Sequence, residues 1–404
     1  MTTAFEHPSP GRDLRLDLFR GLANWAIFLD HIPNNAVAWL TTRNYGFSDA
    51  ADIFVFISGY TAAFVYARRM ALQGVLAGTA LLLRRVWQLY VAHILLFVFY
   101  AVAIGFVAQR GHSHLLDEFN VAGLIEHPVA TLSQGLMLKF KPLNLDVLPL
   151  YIVIMAAFPP LLILMRRSPD LALAASALVY VLTHLLDWNF SAYPSGGWYF
   201  NPFAWQLLFT MGAWAAIGGQ ARVQALARSR VVLAASIFFV AFAFVVTLAI
   251  RFNSTDMLPA ALVDLFNPND KTNLAPYRIL HLLALVVIVV RLLPENWSGL
   301  HSVVLQPLIV CGQRSLEVFC VGIVLSFVGH FVLEMYSDTL WMQIAVSVAG
   351  LTLMTGVAFY RTWSRTLDAT YHGKLAKFAD RSHVAVEVQV VRSDPKASQR
   401  ASRR

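Results

Sequence analysis

An arginine and a histidine eleven residues apart in one apolar stretch are the first residues of this chain suited to chemistry. The stretch LDLFRGLANWAIFLDHIPNN holds Asp17, Arg20, Asn24, Asp30 and His31. Ionisable groups inside a membrane span are costly and are functional candidates by default. In a helix, Arg20, Asn24 and His31 fall on one face, with Arg20 and His31 roughly 16 Å apart along the axis. That stripe sets a fixed cation at one depth and a titratable imidazole at another. An imidazole is suited to general-base work near neutral pH. The next apolar stretch begins DAADIFVFISGYTAAF, with Asp52 about four residues inside its start, at a depth like that of His31. A carboxylate beside an imidazole fixes its tautomer and stabilises the imidazolium, so Asp52 is the expected partner of His31. Asp30 is the rival, although its side chain points ~100° away around the same helix. Ser58 and Gly59 lie deeper, where a small residue admits a neighbouring helix or a slender ligand. The plainer alternative is that these groups only hold helices together. Packing alone does not call for both signs of charge at two depths.

These residues need a membrane scaffold around them. Of 404 residues, 58% are hydrophobic and 13% charged, and the mean hydropathy is +0.60. A soluble domain carries about a quarter charged residues, so that class is excluded. The apolar blocks predict an all-α, polytopic integral membrane protein of about ten transmembrane helices. The spans are expected at approximately 16–34, 49–67, 86–108, 147–165, 171–188, 203–220, 231–250, 276–293, 315–335 and 339–360. Residues 71–85 are short and end in two arginines, which predicts an interfacial helix. The N-terminus lacks the features of a cleaved signal peptide, so the first span is expected to be retained.

The net charge of +8 sits largely at span ends and in the tail. That distribution follows the positive-inside rule rather than a nucleic-acid footprint. It puts both termini in the cytoplasm, in a bacterial inner membrane. Residues 1–15 then form a cytoplasmic segment, 16–360 the membrane domain and 361–404 a basic cytoplasmic tail, disordered in its distal part. Three far-side loops are long: 109–146, 188–202 and 251–275. The second, rich in Trp, Tyr and Phe, is suited to stacking on sugar faces or to an interfacial aromatic belt. Cys311 and Cys320 make neither a disulfide framework nor a zinc site, and no residue cluster calls for a metal. Asp146, at the far-side start of the fourth span, is a further carboxylate worth testing.

The stretches RDLRLDLFRGLANWAIFLDHIPNN and YGFSDAADIFVFISGY closely resemble the opening of the OpgC family, and GQRSLEVFC at 312–320 resembles a later feature of it. The resemblance covers roughly residues 12–360. Two wider groups share parts of the pattern. Acyltransferase-3 membrane proteins have an Arg, ten residues and a His, matched by Arg20 and His31. Their aromatic segment ending in Ser-Gly is matched by Phe54, Phe56, Ser58 and Gly59. Heparan-type lysosomal acetyltransferases are similar at Asp17, Arg20, Gly21, Ala51 and Asp52.

The resemblance implies transfer of an acyl group, succinyl in OpgC proteins, from a cytoplasmic acyl-CoA to hydroxyls of a periplasmic glucan. On that reading His31 is the base, supported by Asp52 or Asp30. Arg20, Asn24, Ser58, Gly59, Arg84 and Arg85 receive the donor. Guanidinium groups suit its phosphates, although Arg84 and Arg85 equally suit membrane anchoring. Arg278 or His281 is a guess for the cation that meets a succinyl carboxylate. The same core would serve O-acetylation of another surface polysaccharide. A transporter of an anionic solute is the reading from a different class. Against it, the polar constellation is concentrated in two helices rather than repeated in two halves.

Overall fold

The computed structural model describes residues 13–108, 119–255 and 258–393. Among them the chain is helical, with a single β-bridge between Ser191 and Gly197. The principal helices are α1 (Leu14–Asp30), α2 (Ala50–Gln73), α3 (Val75–Ala108), α4 (Gly123–Glu126), α5 (Pro128–Leu136), α6 (Val147–Arg167), α7 (Pro169–Leu186), α8 (Pro202–Ile217), α9 (Gln220–Arg228), α10 (Arg230–Arg251), α11 (Ala260–Phe266), α12 (Pro276–Leu292), α13 (Gln306–Gln313), α14 (Ser315–Met335) and α15 (Leu340–Ser393).

Seven of these, α2, α3, α6, α7, α10, α14 and α15, are long and apolar enough to cross a membrane. The chain is therefore a membrane protein. Three other expected spans are present as shorter helices of 16 or 17 residues, α1, α8 and α12.

Local chemistry sets the boundaries. Asp13, Asp49, Asn201 and Ser229 each cap a helix by accepting a backbone N–H. Pro169, Pro202 and Pro276 open helices at their first position, where a missing N–H costs nothing. Gly74, at φ 87°, turns the chain between α2 and α3. The interfacial helix expected over 71–85 is not separate. Its first residues finish α2 and the rest runs unbroken into the 34-residue α3. The ALLL sequence before Arg84 is good helix former, and only the glycine interrupts it.

The helices share two ends. At the arginine-rich end, Arg15 bonds Glu295, Arg222 bonds Asp170, and Arg365 bonds Glu317. At the opposite end, Asp49 bonds Lys271, Asp52 bonds Arg278, and Asn201 bonds Asn273. The loop that includes α4 and α5 folds back on α3: Gly135 packs on Phe97, and the Tyr90 hydroxyl donates to the Leu136 carbonyl. Of the expected long loops, residues 109–118 and 256–257 lie outside the described residues. So do the terminal stretches 1–12 and 394–404, on which most of the N-terminal segment and the distal tail fall. The last helix passes the expected span end at 360 and continues to Ser393.

Close backbone approach holds α1 and α2 in place. A Cβ at Gly21 would overlap the Leu308 carbonyl, and one at Gly312 the Asp17 carbonyl, so α1 lies directly on α13. Gly59 and Gly212 do the same between α2 and α8. Small residues at helix contacts permit this in a membrane.

Candidate functional site

Arg20 projects from α1 toward α2. Its guanidinium donates to the Ile57 carbonyl at 3.2 Å and to the Thr61 hydroxyl. Asn24, one turn further along, donates to the Ser315 hydroxyl at 3.3 Å. A cavity of ≈ 140 Å³ opens beside them, lined among others by Arg20, Ser58, Arg85, Tyr151, Ser315 and Phe319. Of the expected stripe only Arg20 lines this cavity; Asn24 and His31 do not, and the late segment GQRSLEVFC supplies part of its wall. Val147 and Leu148, the first two residues of α6, also line it. Arg85 is on the wall and also bonds Gln88, whereas Arg84 points to the exposed surface.

Gly59 has a packing role. Its Cα face is closed by the Phe209 backbone of α8, so no ligand passes there. Gly59→Val should force α2 and α8 apart at a cost of about 1–3 kcal/mol. The check is the unfolding temperature in detergent. An unchanged temperature with weakened donor binding would put Gly59 back on a ligand path.

His31 stands at the C-cap of α1, with its backbone N–H on the Ile27 carbonyl. Its carbonyl accepts from Asn144 at 3.4 Å. Its Nδ1 is buried and has no hydrogen-bond partner among the described residues. Lys271, Arg43 and Asp49 are the charged groups within electrostatic reach.

Asp52 is not bonded to this imidazole, contrary to the expected pairing. Fully buried, it accepts the Asp49 backbone N–H at 2.8 Å and the Arg278 guanidinium at 2.5 Å. The cause is local: Asp49 and Asp52 form a reciprocal capping box at the start of α2, which turns the carboxylate back toward the cap. Arg278 also reaches Asp49 at 3.3 Å and Asn269 at 3.1 Å. The rival carboxylate, Asp30, accepts from the Thr41 hydroxyl at 2.7 Å. The two guesses for an acyl-carboxylate cation are likewise engaged, Arg278 as above and His281 with Ser48 at 2.7 Å.

Residues that sequence reasoning did not single out as functional complete this end. Lys271 bonds Asp49 at 2.6 Å and lies over the Phe200 ring at 5.2 Å. Lys141 lies 3.7 Å over the Trp198 ring and 4.0 Å from Asp146. Both rings belong to the aromatic 188–202 loop, which docks by a bond from the Tyr193 N–H to the Lys139 carbonyl. Burial pushes the Asp49 carboxyl up, but Lys271 and Arg278 outweigh it and hold the group below the usual carboxylate range. Burial pushes Asp146 up to about 6, against the pull of Lys141 and Lys271. Burial also brings Lys141 down to about 8, against the pull of Asp146.

A larger groove of ≈ 1090 Å³ lies on another face of α1, walled mainly by Leu, Val, Ile and Phe of α1, α2 and α12. None of the candidate residues lines it.

Residues 12–366 match the family model described as OpgC protein. No curated protein and no solved structure matches the chain. The match covers most of the sequence, so the chain belongs to the OpgC family, whose members are membrane acyltransferases acting on glucans.

Proposed function

We propose that this protein transfers a succinyl group from succinyl-CoA in the cytoplasm to hydroxyls of a periplasmic glucan, in a bacterial inner membrane with both termini inside. The observation that carries the reading, together with the family, is the cavity that joins the two early motifs to the late one. Arg20 and Arg85 stand on its wall, and Val147 and Leu148 carry it to within a few residues of Asn144, which bonds the His31 segment.

The donor enters from the arginine-rich end. Arg20 and Arg85 meet its phosphates, as guanidinium groups do well. The pantetheine arm passes Asn24 and Ser58, and the thioester reaches His31. The acceptor hydroxyl oxygen attacks the thioester carbonyl carbon, and its proton passes to the imidazole. A C–O bond forms, the C–S bond breaks, and CoA leaves as a thiolate that takes the proton from the imidazolium, which returns His31 to its neutral form. His31 works without a directly bonded carboxylate among the described residues, with Lys271, Arg43 and Asp49 as its nearby charges. General-base assistance of this kind contributes about 10²–10⁴ in rate.

Mass spectrometry of periplasmic glucans from cells with and without the gene tests the reading. Succinyl increments should vanish in the deletion and return with the wild-type gene. Unchanged glucans, with acetyl groups lost from a surface polysaccharide instead, would replace the succinyl-glucan assignment by O-acetylation.

A further inference from the structure

We infer that Asp146 and Lys141, beside the aromatic 188–202 loop, form the subsite that binds the acceptor sugar, with Asp146 accepting a hydrogen bond from one of its hydroxyls. The inference rests on the acyl-transfer reading and assigns its acceptor side.

Asp146 immediately precedes α6, a position where a carboxylate ordinarily caps the helix. Here its side chain makes no capping bond. It retains 22% exposure and has one charged neighbour in contact, the Lys141 ammonium at 4.0 Å. Lys141 is more deeply placed, with a side chain 5% exposed, and its Nζ has no hydrogen-bond partner among the described residues. The ring of Trp198 fixes that ammonium from below. Burial disfavours the charged form of both groups, so the pair is incompletely compensated as it stands.

The chemistry of a fitting ligand follows from the two groups. An ionised carboxylate only accepts and an ammonium only donates, whereas a hydroxyl does both. The Lys141 ammonium is closed off from solvent behind the carboxylate, so the partly exposed Asp146 is the group that a sugar hydroxyl can reach, with Lys141 holding its charge in place. A polyhydroxylated sugar offers such groups in number. Exposed Trp188 and Tyr199 on the same loop provide aromatic faces for a pyranose ring.

The position also suits transfer. Two residues before Asp146, Asn144 holds the His31 carbonyl. The next two residues, Val147 and Leu148, line the cavity assigned to the donor. Along the chain Asp146 thus lies between the residue that holds the His31 segment and the first two residues of the cavity wall.

The test uses the full-length protein in lipid nanodiscs, with glucan as the probe for binding and labelled succinyl-CoA for transfer. Asp146→Asn preserves size and removes the charge. It should weaken glucan binding, and kcat/KM for glucan, by about 10–100-fold. The KM for donor should stay within about twofold, a split that general loss of structure would not give. Asp146→Glu should recover part of the binding. Wild-type binding of glucan by Asp146→Asn, or equal losses for donor and acceptor, would overturn the inference. If the wild-type protein binds glucan in an Asp146-dependent way but transfers no acyl group, the subsite stands and the acyl-transfer reading fails.

Discussion

His31→Ala is expected to lower acyl transfer by about 10²–10⁴ while leaving the protein folded. The size follows from the loss of the proton acceptor for an alcohol nucleophile that is weakly reactive until deprotonated. Retention of the fold follows from the surroundings. The imidazole Nδ1 has no hydrogen-bond partner among the described residues, and the bonds that hold the segment involve its backbone: the His31 N–H to Ile27, and Asn144 to the His31 carbonyl. An alanine keeps both. Complementation of a deletion strain, read as succinyl content per molecule of purified glucan, measures the loss. Unfolding temperature and membrane yield measure the fold. Substantial acylation by a well-folded His31→Ala protein would remove the imidazole from the mechanism. Asp146, a carboxylate held up near 6 with part of its side chain exposed, would then be the next base to examine.

The comparison of sequence with structure divides along the range of the interactions involved. The one-face arrangement of Arg20 and Asn24 was legible because helix periodicity acts over a few residues, and the helix is present over Leu14–Asp30. The all-helical membrane architecture was legible from hydropathy for the same reason. The expected His31–Asp52 pairing failed because similar depth on two helices is not contact. A capping box of four residues, Asp49 to Asp52, which a depth argument does not see, holds the carboxylate instead. Its remaining partner, Arg278, is 226 residues further along the chain, and no local rule could bring the two together. In sequence Gly59 suits either close helix packing or a ligand path, and only the position of α8 decides between them. Ser315 belonged to a recognised segment, but its place on the cavity wall depended on α14 packing beside α1 and α2. Lys141 and Lys271 gave no signal beyond their charge, since their aromatic supports come from a distant loop.

The same long-range contact yields the largest expected effect on stability. Arg278→Met should cost about 3–5 kcal/mol, because it leaves Asp49 and Asp52 buried without their shared guanidinium. Asp52→Asn removes one of those charges, and combining it with Arg278→Met should recover part of the loss, since the double variant no longer buries an unpaired carboxylate at residue 52. Asp49 also pairs with Lys271 at 2.6 Å, which none of these substitutions touches, so the cap of α2 should persist. The pH dependence has a definite sign. Asp49 titrates below its ordinary value near 3.8, so its contribution is present above that value and is lost only as pH falls lower still. Unfolding in detergent, followed for the four members of the cycle at neutral pH, measures the coupling. The result also separates two roles for Asp52. A carboxylate that oriented the catalytic imidazole would be worth about 10⁴ in kcat. As a buried cap partner of Arg278, Asp52 should instead affect the unfolding temperature, with kcat per folded molecule falling by less than about tenfold on Asp52→Asn. A stable Asp52→Asn protein with abolished turnover would return Asp52 to the side of His31.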